Sequence, residues 1–227
     1  MEAIILAGGL GTRLRAVVRD QPKVMAMVGN RPFLEIVLER LAAGGVKRVI
    51  LAVGYLREQI KTHFGSKYKS LDLYYSEETE PLGTGGAIMR ALPLIEGQNV
   101  LVLNGDTYFE LDYKQMWQRH IEAQATVSIA LRYVDDASRY GRVEVKNGRV
   151  QSFLEKGASG AGYINAGVYM LSRHSFDSVQ LSRRFSFETD YLAPFVNQLA
   201  PLAYPANGYF IDIGIPESYL QAQNSFP

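Results

Sequence analysis

Three short apolar runs, each closed by small or polar residues, dominate the first half of the chain. Residues 3–7 (AIILA) are followed at once by Gly8-Gly9, 48–53 (RVILAV) by Gly54, and 100–103 (VLVL) by Asn104-Gly105-Asp106. Uninterrupted branched apolar runs of this length predict strands buried on both faces, as in parallel sheets. A further strand is predicted over 71–75. Helical patterns lie between the strands. Residues 31–41 (RPFLEIVLERL) carry apolar Phe33, Ile36, Val37, Leu38 and Leu41, with Pro32 in the first turn and Gly44-Gly45 as the stop. Helices are also predicted over 56–64 and 86–92. This alternation argues for an α/β fold with a Rossmann-like, mostly parallel, doubly wound sheet.

The texture changes after a helix predicted over 113–123, which carries Trp117. Residues 126–134, 141–146 and 149–154 read as successive strands, with an Asn-Gly hairpin signal at Asn147-Gly148. Residues 168–171 continue a strand, 187–199 read as a helix and 209–213 as a last strand. The second half is therefore a mixed, partly antiparallel lobe. No Pro/Ser-rich linker, internal repeat or low-complexity segment divides the chain. Residues 1–227 read as one domain, with halves of about 1–125 and about 126–227.

Composition narrows the classes. With 24 basic and 23 acidic side chains the net charge is +1, and no basic block points to nucleic acid or a membrane surface. Cysteine is absent, so no disulfide, thiolate metal site or cysteine nucleophile exists. No apolar run approaches the roughly 20 residues that span a bilayer. Residues 3–7 are too short for a signal-peptide core and lack a basic flank, so a cytoplasmic protein is expected. His63, His120 and His174 match no ligand spacing and are expected at the surface.

The chemistry starts at Leu6-Ala7-Gly8-Gly9-Leu10-Gly11-Thr12-Arg13-Leu14. Glycines after a buried strand let backbone amides approach phosphates. The string is not a Walker loop, because no Gly-Lys-Ser/Thr follows. It is not a dinucleotide fingerprint either, because Leu14 stands where Gly or Ala is needed. Arg13 and Lys23 add two cations beside the loop, which suits a triphosphate. This loop followed by Pro22-Lys23 resembles the signature of the sugar-1-phosphate nucleotidyltransferases. Later strings match that family in order: Glu80-Pro81-Leu82-Gly83-Thr84-Gly85-Gly86, Asn104-Gly105-Asp106, Tyr140-Gly141-Arg142-Val143, Phe153-Leu154-Glu155-Lys156, Asn165-Ala166-Gly167 and Asp212-Ile213-Gly214. Val24 and Gly157 stand where relatives often have proline, which alters loop stiffness and leaves the charged groups in place.

The resemblance implies a GT-A-like nucleotidyltransferase fold, with a nucleotide-binding first half and a sugar-phosphate-binding second half. It implies attack by a sugar 1-phosphate oxygen on the α-phosphorus of a nucleoside triphosphate. The nucleophile is already ionised, so positioning and charge neutralisation are the task. Arg13, Lys23 and Asp106 would be catalytic, with Arg13 on the β/γ-phosphates and Lys23 on the α-phosphate. Asp106 and Asp212 would hold Mg2+. Leu6, Ala7, Gly8, Gly9, Gly11, Thr12, Arg13, Glu78, Glu80, Pro81, Gly83, Thr84, Asn104 and Gly105 would bind nucleotide. Tyr140, Gly141, Glu155, Lys156, Asn165, Gly167 and Glu188 would bind the sugar phosphate. Ser186 could instead make the Glu188 region a helix cap.

Glu77, Glu78 and Glu80 supply acceptors where guanine presents adjacent donors, which favours GTP. Gly11-Thr12-Arg13-Leu14-Arg15, Arg139-Tyr140-Gly141, Phe185-Ser186-Phe187-Glu188 and Tyr209–Gly214 look closest to the D-glycero-α-D-manno-heptose 1-phosphate guanylyltransferases, which make GDP-heptose for capsule or surface-layer glycans. Mannose 1-phosphate guanylylation and uridylylation of an N-acetylated sugar 1-phosphate are the other enzymatic readings. A non-catalytic sugar-nucleotide-sensing subunit would be expected to lack Arg13, Lys23 or an aspartate, and all are present. A homodimer is left open.

Overall fold

The computed structural model describes residues 1–9, 11, 14, 17–18, 20–155, 157 and 160–226. In its first half β1 (Glu2–Leu6) is followed by a small hairpin of β2 (Met27–Val28) and β3 (Arg31–Pro32), then α1 (Phe33–Ala43), β4 (Arg48–Val53) and α2 (Arg57–Phe64). Next come β5 (Lys67–Tyr68), β6 (Leu71–Glu77), α3 (Gly83–Ala91), β7 (Asn99–Asn104), β8 (Thr107–Phe109) and α4 (Tyr113–Glu122). The second half holds β9 (Val127–Val134), β10 (Val143–Lys146), β11 (Arg149–Phe153), β12 (Gly162–Ser172), α5 (Val196–Leu199), β13 (Leu202–Ala206), β14 (Phe210–Asp212) and α6 (Pro216–Ser225).

One sheet runs through both halves in the order β10-β11-β13-β9-β12-β7-β1-β4-β6-β5. Its longest parallel stretch is β7-β1-β4-β6, with Ile4 opposite Ile50 on one side and Val102 on the other, and β13 also runs parallel to β9. Successive residues of β1 feed different layers. Ala3 and Ile5 join Phe33, Leu34, Leu38 and Met116 beneath α1 and α4. Ile4 joins Ile88, Ala91, Phe187 and Tyr191 on the other face. Double burial, at about 1.5–3 kcal/mol per fully buried aliphatic side chain, is why these strands read as continuous apolar runs. β12 runs antiparallel to both β7 and β9, and so joins the two halves. The Asn-Gly hairpin forms as expected, with Asn147 at φ 53° and Gly148 at φ 71° between β10 and β11. Among the described residues no helix is long and apolar enough to cross a membrane.

Three expectations need correction. The helix expected over 31–41 is α1, Phe33–Ala43, because Pro32 holds ψ at 141° and Arg31–Pro32 pairs with Met27–Val28 instead. The helix expected over 187–199 breaks into one π-helical turn, Phe187–Leu192, and the short α5. The third is His120, which is buried on α4 between Ser128 Oγ (2.7 Å) and Asn99 Oδ1 (3.2 Å).

Burial lowers the His120 pKa to about 4. In the unfolded chain it titrates near the ordinary value of about 6.5. The stability that depends on its neutral form is complete above about pH 6.5, is lost as pH falls toward 4, and falls no further below that. The full loss is about 3 kcal/mol. Urea unfolding across pH 4–7 should show this slope, and His120→Gln should flatten it. An equal slope in the variant would remove His120 as its source.

Candidate active site

The parallel strands end on one edge, where backbone bonds hold their loops together. Ala7 N–H reaches Ala52 O (2.8 Å), Gly105 N–H reaches Leu6 O (3.0 Å) and Glu78 N–H reaches Val53 O (2.8 Å). Crevices at such edges are where ligands bind in open α/β sheets. Half-buried Leu6 ends β1, Ala7 is buried and Gly9 is exposed. A Cβ on Gly8 would stand 2.9 Å from Glu78 Oε1 and 3.2 Å from Gly54 N, so a larger residue would have to displace the Glu78 side chain and crowd the Gly54 backbone. The Lys23 stem lies against Gly11, with Cβ 3.1 Å from where a Gly11 Cβ would be. Thr12, Arg13 and Lys156 fall outside the described residues.

A second, two-stranded sheet brings the aspartates together. β8 pairs antiparallel with β14, Thr107 opposite Asp212, and Ile213 N–H bonds to Asp106 O at 3.0 Å. Lys23 Nζ forms an ion pair with Asp106 Oδ2. Asp212 Oδ1 accepts from Gly214 N–H (2.6 Å) and Oδ2 from Arg139 (3.1 Å). Burial is the main cause that raises the Asp212 pKa, and the charge of Asp106 adds to it. Lys23, the Gly214 N–H and Arg139 pull in the opposite direction. Arg139 also donates to Ser218 Oγ on α6 (2.6 Å) and lies 4.8 Å from the centre of the Tyr140 ring.

Two adjacent carboxylates fit a hard divalent cation. Among the described residues no cluster of three or more His, Cys, Asp or Glu exists. That donor set suits Mg2+, which keeps water and substrate phosphates as its remaining ligands, better than it suits an ion needing a full protein cage.

The second half contributes a hydrogen-bonded chain. Thr84 Oγ1, at the start of α3, donates to Glu188 Oε2 (2.8 Å) and accepts from Phe187 N–H (2.8 Å). Ser186 Oγ donates to the same carboxylate oxygen (3.2 Å) and accepts from Thr189 N–H (3.2 Å), which is the cap the sequence suggested. Tyr169 OH donates to Glu188 Oε1 (3.1 Å) and accepts from Asn165 Nδ2 (2.9 Å). Burial holds the Tyr169 phenol far above its ordinary pKa. Glu188 thus has three protein donors for its roughly four acceptor positions. Gly167, at φ 68°, brings the β12 backbone so close that a Cβ would stand 2.7 Å from Asn104 Nδ2. Tyr140 is half-buried against Phe210, with ring centres 5.9 Å apart, and buried Gly141 follows at φ 82°. Glu155 is exposed just beyond β11.

The three acidic residues at the end of β6 and just beyond it differ in surroundings. Glu77 is engaged by Lys61 (2.8 Å) and Arg57 (3.4 Å). Glu80 pairs with Arg183 (2.9 Å), and Pro81 and Gly83 beside it are exposed. Glu78 is turned inward beside Gly8, its Oε2 accepts from Leu82 N–H (3.0 Å), and burial raises its pKa. The sequence places Arg139 in a matching string without a role, and points to neither Ser218 nor Arg183. Their partners lie on distant segments, and no local spacing signals them.

The sequence profile described as "Nucleotidyl transferase" matches residues 2–227. The chain belongs to the nucleotidyl transferase family. Among characterised members, this nucleotidyltransferase is 45% identical over 223 residues to D-glycero-alpha-D-manno-heptose 1-phosphate guanylyltransferase of Aneurinibacillus thermoaerophilus, covering 98% of this chain and 97% of that one. The protein of the same name from Campylobacter jejuni is 42% identical, covering 96% and 97%. The crystal structure of HddC from Yersinia pseudotuberculosis complexed with GMP-PN superposes with a TM-score of 0.88 at 39% identity, covering 100% of this chain and 99% of that one. The nucleotidyltransferase fold and the mixed α/β sheet expected from sequence are therefore both present.

Proposed function

We propose that the protein transfers GMP from GTP to D-glycero-α-D-manno-heptose 1-phosphate, releasing pyrophosphate and forming GDP-heptose for capsule or surface glycans in the cytoplasm. The observation that carries this reading is the cluster of Lys23, Asp106 and Asp212 at the mouth of the glycine loop. Full-length similarity to two heptose 1-phosphate guanylyltransferases supports the choice of sugar and base.

A sugar-phosphate oxygen forms the new bond to the α-phosphorus as the α–β anhydride bond breaks and pyrophosphate departs. The Lys23 ammonium neutralises the α-phosphate as its charge redistributes. Arg13 grips the β/γ-phosphates, and Lys156 holds the incoming phosphate. Asp106 and Asp212 hold magnesium, which supplies further charge neutralisation on the phosphates. The backbone of Gly8, Gly9 and Gly11 lines the phosphate path, and Asn165 and Gly167 line the sugar side. Glu78 reads the guanine edge.

Four nucleoside triphosphates offered with heptose, mannose, glucose and N-acetylglucosamine 1-phosphates, with pyrophosphate release as the readout, test the reading. GTP with the heptose phosphate should give the highest kcat/KM. A higher value with mannose 1-phosphate would replace the sugar, and preference for UTP or TTP would overturn the guanine assignment.

A further inference from the structure

Lys23 has two duties that conflict. Its ammonium is paired with Asp106, whereas the proposed reaction requires it on a phosphate. The ammonium also lies near Asp212, whose pKa its charge lowers. A Cβ placed on Gly214 would stand 3.0 Å from Lys23 Nζ and 2.6 Å from Asp212 Oδ1. Asp212 has its own fixed partners in Arg139 and the Gly214 N–H. Among the described residues, Lys23 is the cation that pairs with Asp106. The pair is well enclosed, with side-chain exposures of 12% and 26%, so solvent screens it weakly.

We propose that Lys23 is a resident counter-ion of Asp106, exchanged for the divalent cation as nucleotide binds, so that its ammonium is released to the α-phosphate. The inference rests on the metal reading of Asp106 and Asp212 given above. The physical reason is that an ammonium and a divalent cation on the same carboxylate repel each other at close range. A phosphate that draws Lys23 away removes that repulsion. Metal and nucleotide therefore bind with positive cooperativity, and each raises the affinity of the other by the same factor. The exchange also keeps Asp106 compensated before substrates arrive, since an enclosed carboxylate without a cation is costly.

Binding of Mn2+ to nucleotide-free, full-length protein, followed by the electron paramagnetic resonance of free Mn2+, reads this directly. Lys23→Met keeps the length of the stem and removes the charge, and Lys23→Gln serves as a second neutral variant should the first fold poorly. Either should bind Mn2+ about tenfold more tightly than the unmodified protein, the scale set by Coulomb repulsion between nearby charges. Lys23→Arg should stay near the unmodified value. In saturating Mn2+, calorimetry should show GTP binding weakened in the neutral variants. This pair of opposite changes would not follow from a merely structural role. Unchanged or weaker Mn2+ binding in both neutral variants, with Asp106→Asn still reducing it, would overturn the exchange and leave the metal assignment standing. If Asp106→Asn combined with Lys23→Met binds Mn2+ as tightly as Lys23→Met alone, Asp106 is not a ligand and both readings fall.

Discussion

Asp106→Asn should slow pyrophosphate release by at least about a thousandfold in magnesium while leaving the fold intact. The amide keeps the shape of the side chain and loses one hard, charged oxygen ligand, which Mg2+ strongly prefers. A factor of one thousand is about 4 kcal/mol, within reach of losing one preorganised charge at a reacting centre. The fold should tolerate the change because the Asp106 residue holds its neighbours through its backbone. Its carbonyl accepts the Ile213 N–H at 3.0 Å, and β8 and β14 remain paired. The substitution removes an electrostatic conflict, since the Asp106 charge helps raise the pKa of Asp212. It also leaves the Lys23 ammonium without its partner, so the two effects on stability oppose each other. Steady-state turnover and thermal melting on the same preparations check both halves. Near-normal turnover in magnesium would refute a metal role for Asp106.

The parallel half of the fold was legible because its strands bury both faces, so 3–7, 48–53 and 100–103 announce themselves as continuous apolar runs that match β1, β4 and β7 within a residue or two. β13 escaped because Pro205 interrupts its pattern, and its pairing with β9 depends on contacts far along the chain. The apolar pattern of β12 is continuous only over 168–171. Its register shifts between Asn165 and Tyr169, where Gly167 takes a positive φ, and this breaks the alternation expected of an 11-residue strand. The π-helical turn at Phe187–Leu192 cannot be separated from an α-helix by apolar spacing alone. Its first N–H is taken by Thr84, a residue 103 positions earlier.

The same division applies to the site. Asp106 was legible as the end of a buried strand, and Asp212 as a carboxylate set among apolar residues that would need donors. The identity of those donors is not legible, because Arg139 lies 73 positions from Asp212 and no local spacing links the two. His120 was misplaced for a related reason. Its partners Ser128 and Asn99 belong to β9 and β7, and a polar residue on an amphipathic helix reads as exposed until such partners are known.

Glu78→Gln should lower kcat/KM for GTP by about 100-fold, chiefly through KM, and reduce the preference for GTP over UTP by at least that factor. The sequence offered three acidic residues for the base, and their surroundings distinguish them. The Glu77 carboxylate is held by Lys61 and Arg57, and the Glu80 carboxylate by Arg183 at the surface. Glu78 alone of the three is directed at Gly8, where the proposed phosphate path begins, and is fixed there by the Leu82 N–H at 3.0 Å. Guanine presents two adjacent donors, N1–H and the exocyclic amine. A carboxylate accepts from either without a proton of its own in the way. A carboxamide offers one acceptor and one donor, so the substitution loses a charged hydrogen bond and faces a donor with a donor. About 100-fold is 2.7 kcal/mol, the range of one or two such bonds. Gln at position 78 can still accept from Leu82 N–H, so the loop and the melting temperature should hold, and glutamine suits the alternating donor and acceptor edge of uracil. Glu80→Gln is the matched control, expected to change kcat/KM less than threefold because its exposed pair with Arg183 contributes little. If Glu80→Gln abolishes the GTP preference and Glu78→Gln preserves it, the base is read from the rim of the crevice, and Glu78 serves only to anchor Leu82.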